Sequence, residues 1–258
     1  MFDLAALERE LAGTVVAGKL HFAPVTESTN TDAMTAARSG AQHGSVWFAD
    51  EQTAGRGRAD HRWHSAAAEG LYVSVLLRPE IPAARLALLP LAAGLAAADA
   101  IRAIAGVDVD LRWPNDLLVG TRKAGGILAE SAQSGNGIFA VVGIGINVHQ
   151  REFAPDLATP ATSLDIEAGA RVSRQALLVA LLKSLEREAV GLADGDAAGR
   201  IPARVEAAST WARGRRVEVH GPQACAGVTA GLDEDGFLRV TTSAGLIIVR
   251  TGGIRAAE

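Results

Sequence analysis

A short segment of the chain concentrates groups that bind anions. It runs from Asp50 to His64 and contains Gly55-Arg-Gly-Arg58, Arg62 and Trp63. Guanidinium groups bind carboxylates and phosphates through planar forks, and glycines let a backbone come close to a ligand. We interpret this segment, the Arg-Gly loop, as a mobile anion-binding loop without regular structure. Taken alone, the same residues also fit a solvated basic loop or a contact with nucleic acid.

Two further groups of polar residues lie where elements are expected to begin or end. Ser28 or Thr29 is expected to cap a helix, and a helix start also directs free N–H groups towards a ligand. Capping alone is a sufficient role for that hydroxyl. Pro114 predicts a turn or bulge that presents Asn115 and Asp116 at a strand junction. Ordinary turn chemistry explains the same two residues.

Lysine is rare in this chain, which makes each lysine a candidate for a specific role. Only Lys19, Lys123 and Lys183 occur among 25 Lys and Arg residues. We expect Lys183 on the solvated face of an amphipathic helix. Gly143 and Gly145 lie within a predicted strand and lack the third glycine and the following helix of a dinucleotide fingerprint. Small residues at those positions would instead let a ligand lie against the sheet.

Composition narrows the function classes. The chain has 258 residues, 48% hydrophobic content, a net charge of −4 and a pI near 5.9, which favours a globular protein and disfavours general nucleic-acid binding. The single cysteine, Cys225, excludes an internal disulfide and fits a reducing compartment, so we expect a cytoplasmic protein. The start of the chain has no recognisable secretory signal. The apolar segment 86–101 is expected to form a core helix, because it is too short to span a membrane.

Periodicity predicts the elements that position these groups. A hairpin turn at 134–137 is expected to join strands 123–130 and 138–148. Short strands separated by turns follow Gly214, which indicates a small β-barrel appended to an α/β body. Further strands are predicted at 19–24, 46–49, 71–77, 216–219, 227–232, 237–240 and 246–249, and helices at 4–11, 29–40, 84–105, 174–192 and 197–209.

Several segments together resemble the bacterial biotin protein ligases, and the resemblance covers almost the whole chain. They are Ser28-Thr29-Asn30, Glu51 to Arg58 followed by Trp63, Arg112 to Asp116, and Lys123 to Glu130 with Gly143-Ile-Gly145-Ile-Asn147. The resemblance implies an α+β fold, with a mixed or antiparallel sheet flanked by helices as in class II synthetases. This catalytic domain would span residues 1–212. A small SH3-like β-barrel would span residues 213–258.

The resemblance also implies an activity. The family forms biotinyl-5'-AMP from biotin and ATP with Mg²⁺, then transfers biotin to a lysine of a biotin carboxyl carrier protein. We expect the monofunctional type, since only some twenty residues precede Ser28 and leave no room for a DNA-binding domain. No binding to DNA or to a membrane is therefore expected. The protein is expected to be a monomer or a weak homodimer.

The family's site residues carry over to matching positions. The attack of one anion on another requires charge neutralisation and positioning. The implied catalytic residues are Lys123, Arg56 and Arg58. The implied biotin site comprises Ser28, Thr29, Asn30, Gln52, Gly55, Arg56, Lys123, Gly126 and Gly143. The implied nucleotide site comprises Arg58, Trp63, Asn115, Asp116, Lys123 and Asn147, with Asp116 also a possible metal ligand.

The chain departs from the family within the Arg-Gly loop and leaves alternatives open. Asp60 and His61 stand where the family commonly has glycine and arginine, which weakens the positive charge of the loop. A lipoate or octanoate ligase or transferase shares the fold but matches the Arg-Gly loop and the Lys123 segment less well. A biotin-sensing regulator without enzymatic activity would not need cations that face phosphate. The third alternative is an Arg-Gly contact with nucleic acid.

Overall fold

The computed structural model describes residues 2–58, 61–79, 82–134 and 137–257. A seven-stranded sheet organises the first two thirds of the chain, with the strand order β1-β2-β3-β7-β6-β5-β4. Strand β1 pairs in parallel with β2, and every other neighbouring pair is antiparallel. The strands are β1 Leu20–Thr26, β2 Val46–Gln52, β3 Gly70–Leu77, β4 Asp110–Arg112, β5 Asp116–Val119, β6 Arg122–Ser134 and β7 Gly137–Asn147. This mixed sheet confirms the predicted α+β class.

Helices cover both faces of the sheet. The helices are α1 Leu4–Glu10, α2 Thr29–Arg38, α3 Leu89–Ala105, α4 Leu164–Ala168, α5 Arg174–Ala193, α6 Gly195–Gly199 and α7 Ile201–Ala207, and a 3-10 turn over Ala83–Leu88 leads into α3. Helices α3 and α5 pack together over the main core, whereas α2 packs with a smaller apolar cluster against β2, β3 and β7. Helix α2 therefore covers the half of the sheet that includes β2 and β3.

Helix α3 consists largely of apolar residues. Together with the preceding turn, the segment Arg85–Ala105 is long and apolar enough to cross a membrane by length and composition, contrary to our expectation that it is too short. However, most of its residues are buried against α5 and the sheet, so it is the predicted core helix. The helix ends at Gly106, whose φ of 66° is the left-handed conformation that glycine adopts readily.

The last part of the chain forms a second, antiparallel sheet. Its strands are β8 Arg213–His220, β9 Cys225–Leu232, β10 Leu238–Thr242, β11 Gly245–Val249 and β12 Gly253–Ala256, in the order β11-β10-β9-β8-β12. This sheet fits the SH3-like domain implied by the resemblance. It contacts the β4–β5 end of the large sheet, where Trp113 Nε1 donates to the carbonyl of Gly236 at 3.1 Å. The division into domains at residues 212 and 213 stays a prediction.

The sequence predictions differ from the structure in a few elements. The helix predicted at 197–209 is divided into α6 and α7, because Pro202 at the start of α7 lacks the N–H group needed to continue a helix. Strand β12 was missed, since its four residues have no alternating apolar pattern. Strand β2 continues to Gln52, so the Arg-Gly loop is irregular only from Thr53 onwards. Ser134 pairs with Gly137 as a hairpin requires, and the two turn residues between them lie outside the described residues.

Candidate active site

A cavity of about 600 Å³ opens above the large sheet. Its walls come from the start of α2, the Arg-Gly loop, strands β3, β6 and β7, the segment 150–161 and the turn that precedes β12. Among the residues that the structure describes, five arginines and one lysine line this cavity, against one carboxylate, that of Asp116. The cavity is therefore an anion site by charge, although the whole chain is acidic.

The Arg-Gly loop folds back on itself instead of extending into solvent. Trp63 N–H donates to the carbonyl of Gly55 at 2.9 Å, and Gly57 N–H donates to the carbonyl of His61 at 2.6 Å. These bonds form a short hairpin-like ladder, so the expectation that the loop lacks regular structure is only partly correct. Asp60, one of the two departures from the family pattern, lies outside the described residues.

A buried polar network connects the start of α2 to the sheet. Gln52 Oε1 accepts from the backbone N–H of Thr29 at 2.9 Å, and the Thr29 hydroxyl lies 2.8 Å from the hydroxyl of Ser74. Ser74 Oγ in turn donates to Asn30 Oδ1 at 2.6 Å. Ser28 occupies the N-cap position but makes no capping bond through its side chain, so hydroxyl capping was the wrong interpretation. These side chains are instead held at the cavity wall.

Glycines make the cavity floor flat. A Cβ atom on Gly143 would overlap Asn30 Oδ1, and a Cβ atom on Gly145 would lie 2.6 Å from Trp63 Nε1. At Gly126 a Cβ atom would meet Lys123 at 3.4 Å and the indole of Trp63 at 3.6 Å. The sheet is thus approached closely at these positions, as the glycine pattern predicted. In this structure the approaching groups are side chains of the protein itself.

Lys123 and Arg112 share one carboxylate. Asp116 Oδ1 lies 2.5 Å from Lys123 Nζ, while Arg112 donates to Asp116 Oδ2 through Nε at 3.0 Å and Nη2 at 2.6 Å. Burial raises the pKa of the Asp116 carboxyl, but the attraction of Lys123 and Arg112 is larger, and the pKa is lowered overall. Asp116 therefore remains ionised and holds the ammonium group of Lys123 at the cavity.

The two arginines at the centre of the loop have separate partners. Arg58 donates to the carbonyl of Gly252 at 2.9 Å and to Asn115 Oδ1 at 3.4 Å, which links the loop to both sheets. Burial lowers the pKa of the Arg58 guanidinium, partly opposed by Asp116. Arg56 makes an ion pair of 2.8 Å with Glu130.

A family model described as the biotin/lipoate A/B protein ligase family matches residues 22–147, which contain all of the large sheet except the first two residues of β1. The biotin–[acetyl-CoA-carboxylase] ligase of Mycobacterium tuberculosis is 35% identical over 236 residues, covering 89% of this chain and 85% of that protein. The chain belongs to the biotin protein ligase family. A bifunctional ligase/repressor of Bacillus spizizenii is 37% identical over 176 residues, 67% of this chain, and the match spans only 54% of the length of that relative.

A solved biotin protein ligase has the same fold. The enzyme from Aquifex aeolicus, in complex with biotin and ATP, superposes with a TM-score of 0.80 and 28% identity, covering 93% of this chain and all of that one. The match extends over both sheets and confirms the implied architecture of a biotin protein ligase.

The biotin protein ligase fold brings together nearly all the residues assigned from the resemblance. Those that line the cavity are Ser28, Thr29, Asn30, Gln52, Arg56, Arg58, Trp63, Asn115, Asp116, Lys123, Gly126, Gly143 and Asn147. Gly55 does not line it. Gly55 packs instead against the backbone of Trp63, where a Cβ atom would lie 2.5 Å from the carbonyl oxygen. Asn147 Nδ2 donates to the carbonyl of Thr162 at 3.0 Å, so it also anchors the segment that forms one cavity wall. The ligand roles of all these residues stay predictions.

The sequence did not indicate several groups in and beside this cavity. Ser74 is fully buried, and its only sequence signal is a lone hydroxyl within an apolar strand. Gln150 lines the cavity, donates to the Tyr72 hydroxyl at 3.4 Å and has a buried Oε1 without a partner among the described residues. Arg255 lines the cavity from strand β12, an element that was not predicted.

Asp116 does not belong to a resident metal cluster among the described residues, and its role as a ligand of Mg²⁺ stays a prediction. Mg²⁺ takes several oxygen ligands, and the residues from 2 to 257 that the structure describes contain no cluster of three His, Cys, Asp or Glu side chains suited to a metal. Both oxygens of Asp116 already face cations, Lys123 and Arg112. These residues do not fit a resident Mg²⁺ ion, so no step below depends on one.

Proposed function

We propose that this protein is an ATP-dependent biotin protein ligase that forms biotinyl-5'-AMP and then biotinylates a lysine of a biotin carboxyl carrier protein. One observation carries the proposal. A floor of glycines, Gly126, Gly143 and Gly145, adjoins Lys123, a cation held at the cavity by a carboxylate. The floor leaves room for a bulky ring system against the sheet, and the cation suits the point where a carboxylate and an α-phosphate must meet.

The first step joins two anions. An oxygen of the biotin carboxylate attacks the α-phosphorus of ATP, and the bond from the α-phosphorus to the bridging oxygen breaks, which releases pyrophosphate. Biotin would lie beside Gly143 and against the network of Thr29 and Asn30, and Lys123 would contact the carboxylate and the α-phosphate. Catalysis would consist of charge neutralisation and in-line positioning, since no group of the protein forms a covalent bond. Any Mg²⁺ would enter with ATP as part of the substrate.

The second step needs no nucleophile from the protein. The amine of the carrier lysine attacks the carbonyl carbon of the mixed anhydride, an amide forms, and AMP leaves. Between the two steps the anhydride must be kept from water. The Arg-Gly loop suits that task, because Arg58 joins it to the carbonyl of Gly252 on the opposite wall. Trp63 lies over the floor, and its indole Nε1 is buried without a partner among the described residues.

An isotope-exchange assay tests the function. Labelled pyrophosphate is expected to enter ATP in a reaction that depends on biotin and not on lipoate or octanoate. The family model covers both classes of ligase, so lipoate is the decisive control. Exchange that depends on lipoate, or no exchange with either acid, would contradict the proposal. Biotin binding without exchange would support a regulator instead.

Loss of Arg58 should weaken retention of the intermediate. In Arg58→Gly the loop loses its bonds to Gly252 and Asn115, so biotinyl-5'-AMP should escape before transfer. We expect biotin on lysines of an unrelated added protein, such as serum albumin, measured by mass spectrometry. Arg38→Gly, at the exposed end of α2, is the matched control. Strict carrier specificity in Arg58→Gly would show that this arginine does not retain the intermediate.

We also propose the setting in which the protein acts. The single cysteine suits the cytoplasm. The acceptor would be a biotin carboxyl carrier protein, and the relative from Mycobacterium tuberculosis is named as a ligase that acts on acetyl-CoA carboxylase. A monomer or weak homodimer that binds neither DNA nor membranes remains our expectation for the solution state.

A further inference from the structure

A carboxylate on β6 lies between the Arg-Gly loop and the start of α2. Side chains alternate between the two faces of a strand, so Glu130 shares a face of β6 with Gly126 and Leu128, both of which line the cavity. Glu130 Oε2 accepts from Arg56 Nη2 at 2.8 Å and from Asn30 Nδ2 at 2.9 Å. One oxygen atom therefore joins the loop to the helix that carries the implied biotin-binding residues.

The orientation of Asn30 depends on this carboxylate. Asn30 is 4% exposed, and its Oδ1 accepts from Ser74 at 2.6 Å. Its Nδ2 also approaches the carbonyl of Leu128, but at 3.3 Å, which is longer than a usual N–H···O bond. A buried amide group without a good acceptor is costly, and a hydrogen bond to an ionised group is stronger than one between neutral groups. Glu130 therefore decides which way the Asn30 amide faces.

The same carboxylate attaches the Arg-Gly loop to the large sheet. Arg56 directly follows Gly55, whose carbonyl accepts from Trp63 N–H at 2.9 Å within the ladder of the loop. The side chains of Arg56 and Glu130 are 45% and 27% exposed, so water screens the ion pair and its contribution is modest. Arg58 ties the loop to the C-terminal sheet instead. The loop is thus held on both sides of the cavity.

We propose that Glu130 is a positioning residue that orients the biotin site through Asn30 and holds the Arg-Gly loop beside it through Arg56. The identity of the ligand as biotin rests on the proposed function, whereas the hold on the loop does not. The two roles need different properties of the side chain. Asn30 needs an acceptor oxygen, and Arg56 needs a negative charge. Glutamine keeps the oxygen and removes the charge, so substitution separates the roles.

Ligand binding to the full chain tests the first role. In Glu130→Ala, titration calorimetry should give a dissociation constant for biotin that is raised about tenfold, as for the loss of one hydrogen bond to a charged group. In Glu130→Gln that constant should stay within about twofold of the native value, because the amide oxygen accepts from Asn30. The dissociation constant for AMP should stay within about twofold of native in both variants. A general loss of structure would weaken both ligands equally.

Limited trypsin digestion without any ligand tests the second role. The loop contains three cleavage sites, and the rate of cleavage there reports how often the loop opens. Cleavage should be about two- to fivefold faster in both Glu130 variants, the range for one partly exposed ion pair. Mass spectrometry identifies cuts after Arg56, Arg58 and Arg62. Asp108→Asn is the matched control, because it removes an ion pair of 2.8 Å with Arg102 beyond the end of α3. It should match the unaltered protein in all three measurements.

Other results overturn the assignment. Native loop cleavage in Glu130→Gln would show that the ion pair does not hold the loop. Native biotin affinity in Glu130→Ala would show that Asn30 is oriented without the carboxylate, and equal losses for biotin and AMP would leave Glu130 with a structural role only. Failure of the proposed function would be seen separately, as an unaltered protein that does not bind biotin while loop cleavage is still faster in Glu130→Gln.

Discussion

Replacement of Lys123 by alanine is expected to lower the rate of adenylate formation by about 10²- to 10³-fold, the range for loss of one preorganised charge-stabilising group. Lys123 Nζ is held 2.5 Å from Asp116 Oδ1, so in the native protein the ammonium group is already in position before the reaction begins. Without the ammonium group of Lys123, less positive charge would offset the repulsion between the carboxylate of biotin and the α-phosphate. The loss should be largest in the rate of the first step.

The fold should survive this substitution. Only backbone groups of Lys123 hold the neighbouring segment, through bonds to Pro160 and Thr162, and alanine keeps them. The measurements are biotin-dependent pyrophosphate exchange and the urea midpoint of unfolding. Lys183→Ala, on the exposed face of α5, is the control and should match the unaltered protein in both. An Lys123→Ala protein with native exchange activity would remove Lys123 from the mechanism.

The parts of the site that could be predicted from the sequence are those in which neighbours in the chain act together. Gly55 to Arg58, the turn before Asn115 and Asp116, and the paired glycines of β7 are local signals, and all but Gly55 line the cavity. The sheet itself was predictable for a similar reason, since its strands are short apolar runs bounded by turns.

The remaining groups depend on tertiary contacts. Ser74 acquires a role only because α2 brings Thr29 and Asn30 to it, 45 and 44 residues away in the chain. Arg58 and Gly252 are separated by 194 residues. No periodic pattern predicts that the C-terminal sheet closes one side of the cavity, because the strand that does so, β12, is four residues long and has no alternation. Such contacts follow from how the two sheets pack.

Substitution of Gly143 by alanine is expected to weaken biotin binding by about 100-fold and to leave the binding of AMP nearly unchanged, because it overpacks only one end of the site. The new Cβ atom would overlap Asn30 Oδ1, which accepts from Ser74 at 2.6 Å. Asn30 is 4% exposed and its amide also donates to Glu130 at 2.9 Å, so the side chain cannot move aside without breaking buried hydrogen bonds. Either the network breaks or the floor rises into the space for biotin.

A double-mutant cycle separates these two causes. Titration calorimetry with biotin would be performed on Gly143→Ala, Asn30→Ala and the double variant. If displacement of Asn30 causes the loss of affinity, Gly143→Ala should weaken biotin binding little further when Asn30 is already alanine. If the methyl group itself blocks the ligand, Gly143→Ala should weaken biotin binding by the same factor in both backgrounds. Gly199→Ala, where a Cβ atom meets nothing within 4 Å, is the control. Native affinity for biotin in Gly143→Ala would show that biotin does not lie against β7.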